Sequence, residues 1–527
     1  MSGRNSLRIT AAGSAGLMIA LSFPPVEWNA LAWLSLIPVV CLHVLGTTPR
    51  TLRLWIEGLW FGACLFFPGL FWVTEVSVAG WVALSLLMSC YPAVWYVWSA
   101  RCLKGSGESL HSARNLGRAL VLAFGWVGLE WLRGWMLTGF PWLLLGASQW
   151  KMAGLIQVAE WGGVGLVSFL VAFISVVLAL TGMRLMLELK RSQPIRPHFE
   201  FTLGMLLLGL CLLHGIHVLF RRDEPVREIT VVAVQPDIPQ DPWGPGMALD
   251  EAVAKMEVLT RSALAASGQV DLVVWPETPV GQELYNSPEF ITAAAWITRE
   301  RGSALMVGSI VHSGKDVYNA GLLYPAGGGS PQVYYKRHLV MMGEVVPLPD
   351  WLPYLDRLVP LGQNFSRGTS APLLRLFRED GSVLSMGVLI CFEDIFSHLS
   401  RSYRTQDDLL LVNITNDGWF GRSSQSRQHL AHAVFRAVET RAPLLRVSNN
   451  GITALIDHKG VIREGDLLGD WKKESRHAMG TLSLQVKIPE LSPTLYEQIG
   501  NWPGWLGTLV LFWPLFMGRD RSRSENE

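Results

Sequence analysis

Long apolar runs crowd the first 220 residues of this 527-residue chain, and one more stands near its C-terminal end. A helix needs about 20 largely apolar residues to cross the hydrocarbon core of a bilayer. In lipid, every backbone N–H and C=O must be satisfied within the protein, so runs of this kind are restricted to helices. The spacing predicts eight crossings, at 9–23, 28–46, 54–74, 81–100, 117–138, 161–186, 200–220 and 503–517. Composition agrees: half of the residues are hydrophobic, 17% are charged, 23 are Trp and the mean hydropathy is +0.28, as in membrane proteins. A cleaved signal peptide over 1–23 is the competing expectation. Pro24-Pro25 follows directly, which disfavours cleavage.

Lys and Arg set the orientation. With the N-terminus inside, the inner loops carry Arg4, Arg8, Arg50, Arg53, Arg101, Lys104, Arg114, Arg118, Arg184, Lys190, Arg191 and Arg196, and later Arg519, Arg521 and Arg523, whereas the short outer loops carry essentially Lys151, with Arg133 at the membrane edge. This positive-inside asymmetry puts 221–502 on the outer side. Three parts follow: an N-terminal transmembrane bundle of about seven helices (1–220), an exported domain (221–490), and a closing helix with a cytoplasmic tail (491–527).

The exported region reads as α/β. Short β-rich runs recur at 229–234, 272–275, 305–310, 321–324, 333–335, 384–390, 409–413, 444–447 and 453–456, with helical stretches such as 249–266 and 428–441 between them. Such alternation predicts a layered sandwich. No 20–50-residue period repeats, and a net charge of +1 gives no sign of a nucleic-acid partner.

Of six cysteines, only Cys391 lies away from the apolar segments and their edges, in Ser385-Met-Gly-Val-Leu-Ile-Cys-Phe-Glu-Asp394. A strand that ends in a nucleophile on a tight turn has this form; a buried, inert thiol is the alternative. Two further segments favour the first. Asp271-Leu-Val-Val-Trp-Pro-Glu-Thr278 is an apolar strand that breaks at Pro276 and presents Glu277, and the strand-like run Gln332-Val-Tyr-Tyr-Lys-Arg-His-Leu-Val340 carries Lys336 in its middle. A carboxylate, an ammonium and a thiol make a complete set for acyl transfer. Glu277 would take the thiol proton and Cys391 would attack a carbonyl carbon. Lys336 and the amide of Phe392 would stabilise the oxyanion.

Glu, Lys and Cys in this order resemble the nitrilase (carbon–nitrogen hydrolase) superfamily, which implies an α-β-β-α sandwich for the exported domain. With the membrane helices, the chain resembles the apolipoprotein N-acyltransferases nearly end to end. The motifs are Glu130-Trp-Leu-Arg-Gly-Trp-Met-Leu-Thr-Gly-Phe-Pro-Trp142, Trp275-Pro-Glu-Thr278, Gly343-Glu344-Val-Val-Pro347, Cys391-Phe-Glu393, Asn416-Asp-Gly-Trp-Phe-Gly421 and the run from Arg436 to Gly451. The resemblance implies a multi-pass protein of the bacterial inner membrane with its catalytic domain in the periplasm. It would pass an acyl chain from a membrane phospholipid, through a Cys391 thioester, to the free α-amino group of a diacylglyceryl-cysteine at the N-terminus of an apolipoprotein. Glu344 would orient Lys336, Glu393 would support the site, and Trp243, Trp419, Met342 and Arg133 would touch substrate. No cofactor or metal is implied.

There are departures from the family pattern. Phe392 stands where some relatives have tyrosine, Leu339-Val-Met-Met-Gly-Glu344 lacks a Pro-Phe pair before its glycine, and Trp243 is slightly out of register. Met341 and Met342 are expected to make a flexible, apolar lip. His429 and His432 lie one helical turn apart, a spacing open to metal, but without a third ligand they read as helix packing. Glu130 and Arg133 are ionisable residues in an apolar run, either an internal ion pair or a headgroup contact. Trp131, Trp135 and Trp142 read as interfacial anchors. No His-Glu-x-x-His or Gly-x-Ser-x-Gly element occurs, against metalloprotease and serine-lipase chemistry. The remaining alternatives are a membrane-bound amidase using the same trio, and a polytopic transporter or sensor with a degenerate outer domain.

Overall fold

Hydropathy and strand pattern divide the chain in two. The computed structural model describes residues 2–46, 49–105, 111–192, 194, 196–240, 246–278, 281–345, 364–403, 408–468, 478–490 and 493–517. They form one unit of Met1–Phe220 with Gln498–Glu527 and a second of Arg221–Glu497. Trp243 lies outside the described residues, as do Pro347 and the tail beyond 517.

The first unit is helical. Its helices include Ser2–Leu21, Ile37–Leu45, Thr51–Gly69, Val78–Cys102, Ser112–Arg133, Ala159–Lys190, Phe199–Phe220 and Trp502–Met517. Three of these, Val78–Cys102, Ala159–Lys190 and Phe199–Phe220, are long and apolar enough by themselves to cross a membrane. The run at 28–46 is not continuous: a short 3₁₀ turn, Asn29–Trp33, comes first, and the helix restarts with Pro38 in its first turn, where a missing N–H costs nothing. Without a hydrophobic drive between helices in lipid, close backbone approach at small residues supplies the packing. A Cβ on Gly507 would lie 2.1 Å from the Phe124 carbonyl oxygen, and one on Gly128 would lie 2.4 Å from the Gly507 backbone. The last helix therefore packs backbone to backbone on Ser112–Arg133. Inside the unit, the Glu57 carboxylate accepts hydrogen bonds from Arg8 (2.8 Å), Arg53 (2.9 Å) and the Tyr96 hydroxyl (3.0 Å). This balances a buried charge that would otherwise be costly in an apolar bundle.

The second unit carries the strands, first β1 (Pro225–Gln235), β2 (Leu272–Val274), β3 (Ala304–Ser313), β4 (Asp316–Tyr324), β5 (Gln332–Tyr335) and β6 (Leu374–Phe377). Then follow β7 (Val383–Ile390), β8 (Leu409–Thr415), β9 (Leu444–Ser448), β10 (Thr453–Ile456), β11 (Leu467–Leu468) and β12 (Gly480–Pro489). They build two six-stranded sheets, ordered β12-β1-β2-β3-β4-β5 and β11-β10-β9-β8-β7-β6. The central strands β1–β2–β3 and β7–β8–β9 pair in parallel. Their continuous apolar runs follow from burial on both faces. Helices Leu249–Ala266 and Pro288–Ala295 pack on the first sheet through Val253, Met256, Leu264, Phe290 and Ala293, and Gln425–Thr440 packs beside β9 and β10.

Candidate active site

Each of the three candidate side chains is fixed by the strand end that carries it. Glu277 follows β2 across Trp275-Pro276. The Trp275 indole is fully buried and donates to Thr260 Oγ1 at 3.0 Å, and its backbone N–H donates to Met306 at 2.8 Å. Gly308 of β3 donates to the Pro276 carbonyl at 3.2 Å. Only hydrogen fits at its α-carbon, because a Cβ there would sit 2.6 Å from the Glu277 Cα.

Lys336 lies just past the end of β5, not in the middle of a longer strand as its sequence suggested. Its own N–H still pairs with the Asn319 carbonyl (2.8 Å). The next two N–H groups, of Arg337 and His338, leave the ladder and donate to one oxygen of Glu393, at 2.6 and 3.0 Å. The other Glu393 oxygen accepts from the Tyr334 hydroxyl (2.7 Å) and the Ile390 N–H (2.8 Å). Glu393 thus ties the cysteine turn to the lysine segment.

Lys336 Nζ, 1% exposed, is 2.8 Å from Glu344 Oε1 and 3.3 Å from Glu277 Oε1. Asn319 Nδ2 bridges the same two oxygens, at 2.9 Å each. Burial alone would lower the lysine, but Glu344 and Glu277 outweigh it and hold the ammonium well above its ordinary range. Asn319 was not singled out from sequence; its only signal is one polar residue in an otherwise apolar stretch of β4.

Cys391 closes β7 and opens a short turn, Cys391–Ile395. Its φ is +53°, in the left-handed region that costs a non-glycine residue roughly 1–2 kcal/mol. Asn413 Nδ2 braces the bend by donating to the carbonyls of Cys391 (3.1 Å) and Leu389 (3.4 Å). Burial, reinforced by Glu277, pushes the thiol well up against the pull of Lys336. Beside it the Phe392 ring packs edge-on against Phe396 (5.2 Å), and the Phe396 ring meets His338 at 3.7 Å.

Behind the turn stands a fully buried ionic cluster. Arg446 donates through Nη1 to Asp394 (3.0 Å) and Asn413 (2.9 Å), and through Nη2 to Asp417 (2.8 Å), with His429 Nδ1 at 2.9 Å. His429 Nε2 is 2.6 Å from Asp394 and its Nδ1 is 3.1 Å from Asp417. Arg446 raises no flag in an apolar run, and the helix-packing expectation for His429 is corrected here: its ring nitrogens lie against the Asp394 and Asp417 carboxylates, with Arg446 Nη2 also beside Nδ1. Among the described residues no group of three or more His, Cys, Asp or Glu could hold a metal ion.

The expected substrate contacts separate. Met342 is 38% exposed with φ +63°, in a turn closed by Met342 N–H to Val345 O (2.8 Å) and Val340 N–H to Glu344 Oε2 (2.9 Å). The stretch 341–345 is thus a hydrogen-bonded turn around Glu344 more than a loose strip. Trp419 is half-buried in the turn Asp417–Phe420. In the helical unit, Arg133 and Glu130 line a cavity with Tyr91, Trp95 and Trp126. Glu130 accepts from Trp126 Nε1 (2.9 Å) and Leu145 N–H (2.7 Å), and Arg133 stacks 5.1 Å over Phe66. Trp142 is buried against Trp72, which corrects its expected role as an interfacial anchor; Trp135 is exposed.

The paired-sheet fold, with its Glu, Lys and Cys segments at strand ends, defines a carbon–nitrogen hydrolase domain, and a model of that family matches 230–486. Residues 15–177 match the apolipoprotein N-acyltransferase N-terminal domain. The apolipoprotein N-acyltransferase of Geobacter metallireducens is 35% identical over 85% of this chain and 85% of its own length. Its namesake from Pseudomonas putida is 33% identical over 96% of each, and that from Vibrio vulnificus 29% over 96% of each. The chain belongs to the apolipoprotein N-acyltransferase family.

Proposed function

We propose that this protein moves an acyl chain from a membrane phospholipid onto Cys391, and from there to the free α-amino group of a diacylglyceryl-cysteine at the N-terminus of an apolipoprotein. The observation that carries the reading is the strained Cys391 turn at a strand end, electrostatically coupled to the buried Lys336 and Glu277, in a chain of this family. Glu277 takes the thiol proton as sulfur attacks the ester carbonyl. Lys336 and the Phe392 N–H stabilise the oxyanion. The ester C–O bond breaks, and lysophospholipid leaves with the proton from Glu277. In the second half the amine attacks the thioester, the C–N bond forms, the C–S bond breaks, and the proton returns to sulfur. Glu344 holds Lys336, Glu393 holds the two segments together, and Trp243, Trp419, Met342 and Arg133 contact the lipid-bearing substrates.

The membrane arrangement belongs to the same proposal: eight crossings of the bacterial inner membrane, with 221–490 on the periplasmic side, as the Lys and Arg bias supports. Apolar acyl chains held at the site would limit water, the main competitor of the amine for the thioester.

Intact-mass analysis of the purified protein after mixing with phosphatidylethanolamine–phosphatidylglycerol vesicles tests this. An added acyl mass on Cys391 is expected, released by neutral hydroxylamine and persisting until a diacylglyceryl-cysteine peptide with a free amine is added. A peptide with a blocked amine should not discharge it. Decay to free fatty acid at the same rate without acceptor would make the protein a lipid hydrolase. Ammonia release from small amides would make it an amidase, and absence of any adduct would favour the transporter alternative.

A further inference from the structure

The ionic cluster beneath the cysteine turn contains more than its packing requires. Two carboxylates, Asp394 and Asp417, face a single arginine, Arg446, and all three are buried. With His429 neutral the cluster carries one net negative charge; with His429 protonated it carries none. The cluster is also joined to the thiol-bearing backbone. Asp394 belongs to the Cys391 turn itself, and Arg446 holds Asn413, whose amide braces the Cys391 carbonyl. Its charges reach the sulfur: Asp417 opposes thiolate formation, while Arg446 and the thiolate attract one another.

We propose that His429 is a positioning residue for Cys391: held in protonated form between Asp394 and Asp417, it cancels the unbalanced carboxylate and leaves the thiol backed by no net charge. The inference rests on the assignment of Cys391 as nucleophile. The charged groups facing the ring are Asp394 from the cysteine turn, Asp417 from the turn after β8, and Arg446 from β9. Gln425 of its own helix adds an uncharged amide at 3.3 Å. Burial and Arg446 would drive the proton off, but the two aspartates outweigh them and hold His429 above the ordinary histidine range. A buried carboxylate left unbalanced is costly, so the ring retains its proton where a solvent-exposed histidine would lose it.

The test is alkylation of Cys391 by iodoacetamide in the full-length, detergent-solubilised protein, followed at the Cys391 peptide across roughly pH 5 to 10. A lone thiol below its pKa gains about tenfold in rate per pH unit. In the unaltered protein the gain should flatten where His429 loses its proton, since the negative charge then uncovered opposes the thiolate. His429→Gln should label about tenfold more slowly below that point, the effect of roughly one unit from a nearby charge, and converge with the parent above it. Adding Asp417→Asn to His429→Gln removes the excess charge and should restore the parental rate. A purely structural role for His429 would leave a deficit that Asp417→Asn does not repair, and that result overturns the proposal, as do equal rates at every pH. If His429→Gln does not fold, the parent profile decides alone, a straight line being the overturning result. Alkylation needs no lipid, so failure here with a normal acyl-enzyme in the vesicle assay refutes His429 and not the nucleophile; loss of that adduct with the expected alkylation profile does the reverse.

Discussion

Lys336 sits closer to Glu344 than to Glu277: Nζ lies 2.8 Å from the first carboxylate and 3.3 Å from the second. Glu344 is thus the nearer partner of the ammonium, and Asn319 Nδ2 donates to both carboxylates at 2.9 Å. The division assigns different penalties. Glu277→Gln removes the proposed base and should slow acyl-enzyme formation by about 10²–10⁴. Glu344→Gln keeps the base but loosens the lysine, and a loss of about 10–100-fold is expected for a supporting partner. Single-turnover rates of acyl-enzyme formation check both; equal losses in the two variants would remove the distinction.

Much of the candidate site was legible in sequence because each of its three candidate groups lies at or just past the end of an apolar strand. Glu277 and Cys391 punctuate runs whose burial is dictated by hydrophobicity. Lys336 was legible as a residue but not as a position, since the end of β5 is set by Glu393, 55 or more residues distant, taking the next two N–H groups. Asn319 and Arg446 were missed for the same reason: their partners lie in distant turns, strands and a helix, and no local spacing announces a distant partner. His429 was seen but read as packing, because its helix spacing says nothing of Asp394 and Asp417. In the helical unit, hydropathy found the apolar runs but not the break before Pro38, nor that Trp142 turns inward to Trp72.

Met342 gives a test of the entry path. It is an exposed apolar side chain on the hydrogen-bonded turn around Glu344, and it is proposed to contact the acyl chain. Met342→Asp should slow acylation by phospholipid vesicles about tenfold, on the order of the cost of moving an apolar contact into the presence of a charge. Its melting temperature should fall little, since the side chain is already in contact with solvent. Unchanged acylation kinetics would exclude this turn from the path of the lipid.

His398 makes stability depend on pH in a defined window. Burial, with Arg337, Arg436 and Arg367 around it, pushes the imidazole down to about 4. A histidine with a depressed folded-state pKa stabilises the fold above its unfolded value of about 6.5, and that contribution is lost as pH falls through the folded value. The parent should therefore lose stability between roughly pH 6.5 and 4 by at most about 3 kcal/mol from this group. His398→Gln, which cannot titrate, should show a smaller fall over the same range in denaturant unfolding. Parallel curves for the two proteins would dismiss the contribution.

Gly308 offers a way to disturb the base without changing any reactive group. It lies in β3, and its backbone runs against the turn that presents Glu277, where a Cβ would meet the Glu277 Cα at 2.6 Å, the Pro276 carbonyl oxygen at 2.8 Å and the Thr278 nitrogen at 2.8 Å. These are backbone atoms, so no side-chain rotation relieves the clash; the Glu277 turn or β3 must move. Trp275 is locked by Thr260 and Met306, so the displacement falls on Glu277 itself, away from Lys336 and Asn319. A misplacement of about 1 Å in a reacting group can cost about 100-fold in rate. Gly308→Ala should then slow acyl-enzyme formation by about that factor, while iodoacetamide still reaches Cys391 and the unit remains folded, destabilised by about 1–3 kcal/mol from overpacking. Gly308→Ala with parental acylation would mean that Glu277 need not stay where β3 holds it, and its assignment as base would fail with that result.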